Sequence, residues 1–285
     1  TAHQQISEVP TFYQMQLLAL NNNVKPTEPI AEPLEIKEYY ISHLFFDANV
    51  DILTPQNNKK LDQLANLLLI YPKITAELSC FELPTGQKTF NLYFSIKKTE
   101  KAAEYLAGKG IPRSRLLLKG YGSSFPLVAK PVSNNISPLY QKLNQRLEIA
   151  LHDYESEPVI IDIESIKVPE NLQDPKGVKF STLSNQLFYS VQIASISQIL
   201  QNQAIESVEE LFIEVENSSG NYLYMAGMIP TFKEAEKLMS SLIDLGFPDA
   251  RIVPYINGIR IPRGSVADYA KKYPDLLFFL AGKKK

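Results

Sequence analysis

Two runs in which strand-like and helix-like periodicity alternate, parted by a strongly acidic interval, constrain this chain more than any other feature. In the first run Ile41 to Phe46 reads as a strand. Thr54-Pro55 then supplies a helix cap followed by proline at the first helical position. Leu61, Leu64, Ala65 and Leu68 recur at the spacing of one buried helix face until Pro72 stops it. Ile74 to Cys80 alternates as a strand, and a second helix is predicted from about Phe94 to Ala107, ending at Gly108 or Gly110. Leu116 to Leu118 is a third strand closed by Gly120-Tyr121-Gly122. After a polar loop, Leu147, Ile149 and Leu151 alternate with Glu148, Ala150 and His152 as a half-buried fourth strand. The order is βαβαβ plus a late strand, which predicts an α/β sandwich with helices on one side.

Residues 153 to 175 hold seven acidic residues against Lys167 alone, a net charge of −6, and read as a solvated connector with Val159 to Ile163 as a short strand. The second run opens at Phe188, where Tyr189, Val191 and Ile193 alternate with Ser190, Gln192 and Ala194. Ser197 to Glu210 is predicted helical. Leu211 to Val215 and Tyr222 to Met228 read as strands around a loop, and Thr231-x-x-Glu234 is a capping box for a helix that stops at Gly246 and Pro248. Ile252 to Ile256 and Ile259 to Ile261 form a hairpin through Asn257-Gly258. The result is βαββαβ with an added hairpin strand, and Ser265 to Leu280 is expected as a closing helix before Lys283-Lys284-Lys285.

At roughly 150 residues per domain, 285 residues favour two domains. The expected fold class is α+β, with a βαβαβ and a βαββαβ module. The divisions are an arm at 1–37 carrying Pro10, Pro26, Pro29 and Pro33 with a short helix around Phe12 to Leu20, a first domain at 38–152 and a connector at 153–186. A second domain follows at 187–262, then a C-terminal helix and basic tail at 263–285. The chain begins at Thr1 without an initiator methionine, which is read as a processed or excised product.

Composition narrows the function. A formal net charge of −2 gives no electrostatic footprint for nucleic acid. One cysteine and three histidines argue against a disulfide, a zinc module or a histidine metal cluster, so no metal and no cofactor is expected. No stretch approaches the ~20 apolar residues of a membrane-spanning helix. Catalytic constellations are also lacking. Gly120-x-Gly122 has no third glycine, Thr85-Gly86-Gln87-Lys88 is not a P-loop, Cys80 lies in a strand with no histidine near it in sequence, and His152-Asp153 reads as a strand end. The chain is expected not to be an enzyme.

Residues Leu44 to Leu151 resemble the OmpA-like C-terminal domain that binds peptidoglycan in bacterial envelopes. The resemblance rests on Phe45-Phe46-Asp47 with Leu53-Thr54-Pro55, the helix from Leu61 to Ala65, Ala102 to Leu106, and Gly108-Lys109-Gly110-Ile111-Pro112. Gly120 to Pro126 and Asn144-Gln145-Arg146-Leu147-Glu148-Ile149 complete it. The resemblance implies a periplasmic, outer-membrane-associated cell-envelope protein that grips the zwitterionic end of diaminopimelate with an anion and a cation. The family's asparagine matches Asn91, Ser95 also fits, and its arginine position holds Lys98. Lys98 keeps the charge but loses the planar fork. The family's aspartate position falls on Leu83. Glu82 is adjacent and replaces it only if the loop shifts by one residue, a change that normally points the side chain elsewhere. The glycine before that motif is Cys80, with Phe81 beside it. Arg146 in Asn144-x-Arg146 is expected on the glycan-facing rim or in a structural ion pair. Lys97, Lys98, Lys101, Lys109, Arg113, Arg115 and Lys119 against Glu100 and Glu104 give +5 locally, a basic surface facing an anionic wall.

Tyr189 to Ser195 is similar to the opening strand of SPOR-like domains, and Tyr224 to Met228, Phe232 to Glu236 and Gly246 to Ala250 are similar to that family's second half. The resemblance implies glycan binding on an exposed sheet face, with Ser190 and Gln192 on its polar side. Together the two resemblances imply a structural protein that anchors an outer-membrane-associated assembly to peptidoglycan, with other envelope subunits as partners. The rival reading is a scaffold subunit of a secretion or motility machine whose degenerate modules no longer bind peptidoglycan. RNA binding is disfavoured, because no basic aromatic sheet motif accompanies the topology.

Overall fold

A computed structural model of the chain describes residues 36–46, 52–130, 137–198 and 203–282. The arm and the helix expected around Phe12 to Leu20 lie outside these. Residues from Glu38 onward form one compact unit.

Where the cues are local, elements form as the sequence predicts. Helix α1 (Pro55–Ile70) starts at Thr54, whose hydroxyl accepts from the Asn57 amide, and buries Leu61, Leu64, Ala65, Leu67 and Leu68. Strands β3 (Thr75–Phe81), β4 (Leu116–Gly122) and β5 (Arg146–His152) follow the expected alternation. Helix α2 (Lys88–Gly108) begins six residues before Phe94. Its own Gln87 makes no capping bond. The Glu206 carboxylate caps it from afar, accepting from the backbone amides of Lys88 at 2.8 Å and Thr89 at 3.1 Å and from the Thr89 hydroxyl at 3.0 Å.

Other departures have equally physical causes. Ile41 to Phe46 is not one strand: β1 (Lys37–Ile41) and β2 (Leu44–Phe45) join different sheets. The polar loop holds helix α3 (Pro138–Asn144), capped by Ser137. The acidic interval is not a bare connector. Its strand β6 (Val159–Ile163) pairs with β1, and Asp174 caps helix α4 (Pro175–Leu183). Between Ser197 and Glu210 the described residues show a short 3-10 turn at Gln203–Ser207, not a regular helix. The single closing helix becomes α6 (Val266–Tyr269) and α7 (Leu276–Ala281), split at Pro274, which cannot continue the backbone ladder.

The fold is mixed α/β. Strands β7 (Leu187–Ile196), β8 (Leu211–Val215), β9 (Tyr222–Ile229), β10 (Arg251–Ile256) and β11 (Ile259–Arg260) complete a sheet ordered β11-β10-β7-β9-β8-β4-β3-β5-β2. Only β3 and β4 run parallel among these described strands. Helix α5 (Phe232–Asp244) lies between β9 and β10 in sequence. Asn257 and Gly258 both take positive φ, 50° and 79°, as the tight β10–β11 turn requires.

Strand β4 pairs antiparallel with β8, Lys119 opposite Glu214, so the sheet runs on from the first half of the chain (38–152) into the second (187–282). On one face, one apolar cluster joins α1 and α2 to Val191, Ile193, Leu211 and Leu242 from beyond the acidic interval. On the other, aromatic rings gather, with Tyr121 stacked between Phe81 and Phe212 at 4.9 and 5.0 Å.

Candidate functional site

Strand β3 alternates strictly. Ala76, Leu78 and Cys80 pack under α1 and α2, whereas Phe81 joins the aromatic cluster on the opposite face. Extending that alternation by one residue turns Glu82 toward α2. Leu83 turns away and is buried with Val128, Tyr140 and Leu143. The expectation that Glu82 would point elsewhere is therefore wrong. Its carboxylate lies 2.6 Å from Lys98 Nζ, with the two side chains 7% and 3% exposed. Lys98 Nζ also stands 4.8 Å from the centre of the Phe46 ring, and Gln145 Nε2 donates to Glu82 at 3.3 Å.

Gly120 makes this approach of helix to sheet possible. A Cβ there would sit 2.7 Å from both the Ile96 backbone nitrogen and Ser95 Oγ. Asn91 lies two helical turns before Lys98. With its amide oriented to satisfy both ends, it donates to the Thr85 and Leu83 carbonyls at 2.8 and 3.2 Å and accepts from Ser123 Oγ at 3.2 Å. Ser95 donates to the Leu92 carbonyl and accepts from the Gly122 amide. Asn91 and Ser95 thus tie the loops beside the pair to α2.

Arg146 does not join them. In register it faces Phe81, so it lies on the opposite side of the sheet, fully buried. Its guanidinium covers the Phe81 ring at 3.7 Å, and it donates to Glu148 at 2.6 Å and to the Leu143 carbonyl at 3.2 Å. The structural ion pair is the expectation that fits, not the glycan-facing rim.

Nor do the seven cations from Lys97 to Lys119 form one basic face. Lys98 and Lys119 are buried. Arg115 spends its guanidinium on the carbonyls of Leu68, Tyr71 and Ile74 at the end of α1. Lys97 pairs with Glu100 and Lys109 with Asp62. Lys119 instead anchors a buried network with acids from both halves, 3.0 Å from Glu77 and 3.8 Å from Glu214, whose other oxygen accepts from Tyr255 at 2.8 Å. Burial raises the Glu77 carboxyl, but the neighbouring Lys119 and His152 outweigh it and hold the group at about 2. Glu214 is raised by burial despite Lys119.

In the second half, Ser190 and Gln192 are buried rather than presented on an open face. Ser190 donates to the Ala226 carbonyl, and Gln192 Oε1 accepts from Arg251 and Arg260. Cys80 is fully buried, and burial pushes its thiol far up, so no thiolate is available. Among the described residues no group of His, Cys, Asp and Glu is placed to hold a metal ion. No helix among them is long and apolar enough to cross a membrane.

Sequence reasoning missed Glu206, Gln145, Arg251 and Arg260. The period-2 pattern of β3 is the one signal that would have turned Glu82 inward. Nothing local marks the others, because each acts on a group distant in the chain.

Part of the chain is similar in sequence to known proteins. It is similar to Outer membrane protein A of Yersinia pseudotuberculosis, 30% identical over 139 residues, which are 46% of this chain and 39% of that protein. It is also similar to Outer membrane porin F of Pseudomonas fluorescens, 24% identical over 106 residues, 37% of this chain and 31% of that protein. The chain thus spans less than half the length of either relative. Among solved structures it is similar to the peptidoglycan-associated lipoprotein of Burkholderia pseudomallei, with 19% identity, 38% of this chain and 88% of that one covered, and a TM-score of 0.34. For the periplasmic domain of Helicobacter pylori MotB the values are 17%, 38%, 69% and 0.32. No family model matches the chain.

Proposed function

We propose that this chain is a non-catalytic envelope protein, on the periplasmic side of the outer membrane, that associates with peptidoglycan through its first half and so anchors an outer-membrane-associated assembly to the wall. The observation that carries this reading is the Glu82–Lys98 pair, a carboxylate and an ammonium facing each other beside Asn91. A zwitterionic stem-peptide end offers the complementary charges and exchanges with the internal partner of each side chain. The 30% identity to Outer membrane protein A supports the same reading. The second half enters as a SPOR-like wall-facing module, a reading supported by the strand order β10-β7-β9-β8 and by helix α5 between β9 and β10. Two weak grips on one chain gain by effective concentration.

Co-sedimentation of the whole chain with purified peptidoglycan at low salt tests this. The chain is expected to pellet and to be released by free diaminopimelate. Glu82→Leu with Lys98→Met removes both charges without stranding either, and is expected to stay in the supernatant. If the unaltered chain does not pellet, or the double variant pellets equally, the reading is wrong.

One observation favours a second reading, a scaffold subunit of a secretion or motility machine with degenerate modules. The pair neutralises itself at 2.6 Å in a nearly closed setting, and Leu83 stands at the acid's position. A folded chain that fails to sediment supports that alternative.

A further inference from the structure

We propose that the open edge of β10 carries an oxyanion site built by Arg251 and Arg260, which takes a carboxylate or a phosphate borne on an otherwise uncharged body. Register places Arg251 opposite Gln192 on β7 and Arg260 opposite Tyr255 on β10, so both side chains start from the sheet face that carries Gln192. Both then donate to one atom. Arg251 Nη2 lies 3.1 Å and Arg260 Nη2 2.8 Å from Gln192 Oε1.

Two cations converging on a neutral oxygen leave a charge unanswered. Among the described residues no carboxylate reaches ion-pair distance of either guanidinium, and neither side chain makes another hydrogen bond. Glu214 feels the charge of Arg260, but its carboxylate is engaged by Tyr255 and Lys119. Each guanidinium has five donors and spends one on Gln192, so the remainder are free for a planar or tetrahedral oxyanion. Gln192 is 5% exposed and fixes the inner ends, while Arg251 is exposed to solvent. The pair is therefore preorganised and accessible.

The surroundings leave room for a ligand. Strand β11 covers β10 only at Tyr255 and Ile256. Beyond that cover lies a cleft of about 980 Å³ lined by both arginines and Arg263, with apolar walls from Phe232, Ile252 and Phe279. A second hollow of about 420 Å³ is lined by Gln192 and Arg251. Glu236 and Asp249 line the larger cleft without pairing to the arginines. A lining that combines guanidinium donors with apolar side chains suits an acid group on an uncharged body. The site lies in the second half and does not depend on the Glu82–Lys98 pair, so either proposal can fail alone.

Calorimetric titration of the full chain at low ionic strength tests the site with three probes on similar sugar bodies: N-acetylmuramic acid, N-acetylglucosamine 6-phosphate and uncharged N-acetylglucosamine. At least one acid is expected to bind, more weakly as sodium chloride is raised, and the uncharged sugar is not. Binding of the first acid alone identifies a carboxylate source, and of the second alone a phosphate source. Arg251→Gln and Arg260→Gln are each expected to weaken binding about 10-fold, the value of one charge-assisted hydrogen bond. Gln192→Glu places a carboxylate between the guanidiniums and is expected to abolish binding while the melting temperature holds or rises. Absence of heat with both acids, equal binding of the uncharged sugar, or unchanged affinity in the arginine variants would overturn the proposal.

Discussion

Lys98 and the Arg251–Arg260 pair are cations held by the two halves of one sheet, and they are balanced in opposite ways. Lys98 is 3% exposed and has its own carboxylate at 2.6 Å. The arginines share a neutral amide oxygen beside an open cleft. A buried charge must bring its counter-ion with it, because desolvation otherwise costs several kcal/mol. A half-exposed guanidinium can leave that role to solvent or a ligand. The difference separates charge that holds the fold from charge free to recognise something else.

The largest test of this contrast removes Lys98. Lys98→Ala leaves Glu82 buried without its cation and is expected to cost about 3–5 kcal/mol of unfolding free energy. Urea titration followed by circular dichroism reads it. Glu82→Leu with Lys98→Met in the same assay is expected to recover most of that loss, since no lone charge stays behind.

The Lys119 network extends the rule to the opposite face, where pH is the probe. The Glu77 carboxyl is held at about 2 in the folded chain, against 4.5 for an ordinary glutamate side chain. Its stabilisation is therefore fully present above about pH 4.5 and is lost as pH falls toward 2. Melting temperature should drop through that window in the unaltered chain, and Glu77→Gln should flatten the drop. An equal slope in both would remove Glu77 from the account.

Smaller effects follow where a contact caps rather than neutralises. Glu206→Ala strips the three bonds at the start of α2 and is expected to cost about 1–2 kcal/mol, with hydrogen exchange rising at Lys88 and Thr89. Smallest of all, Arg251→Gln and Arg260→Gln strand no buried anion and should each change stability by no more than about 0.5 kcal/mol. A loss near that of Lys98→Ala would erase the contrast.

Elements whose cues lie within a few residues were legible. Thr54-Pro55 starts α1 and Pro72 stops it, Thr231 and Glu234 start α5, and Asn257-Gly258 turns β10 into β11. The start of α2 was not legible, because the Glu206 carboxylate that accepts from Lys88 lies 118 residues away. The candidate site was half legible. The family resemblance pointed to Asn91, Lys98 and the neighbourhood of Glu82, but Arg146 fell on the other face of the sheet.

By itself the sequence determined the local periods, caps and turns, since these depend on covalent neighbours and on backbone geometry repeating every two or 3.6 residues. Only the tertiary structure decided which charges meet. Strand parity turned Glu82 rather than Leu83 toward Lys98. The β4–β8 pairing brought Glu214 to Lys119, and a hairpin laid Arg260 beside Arg251 on Gln192. A local period or turn can fix which face a side chain takes, but which partner it meets there depends on distance through space between residues that the fold brings together.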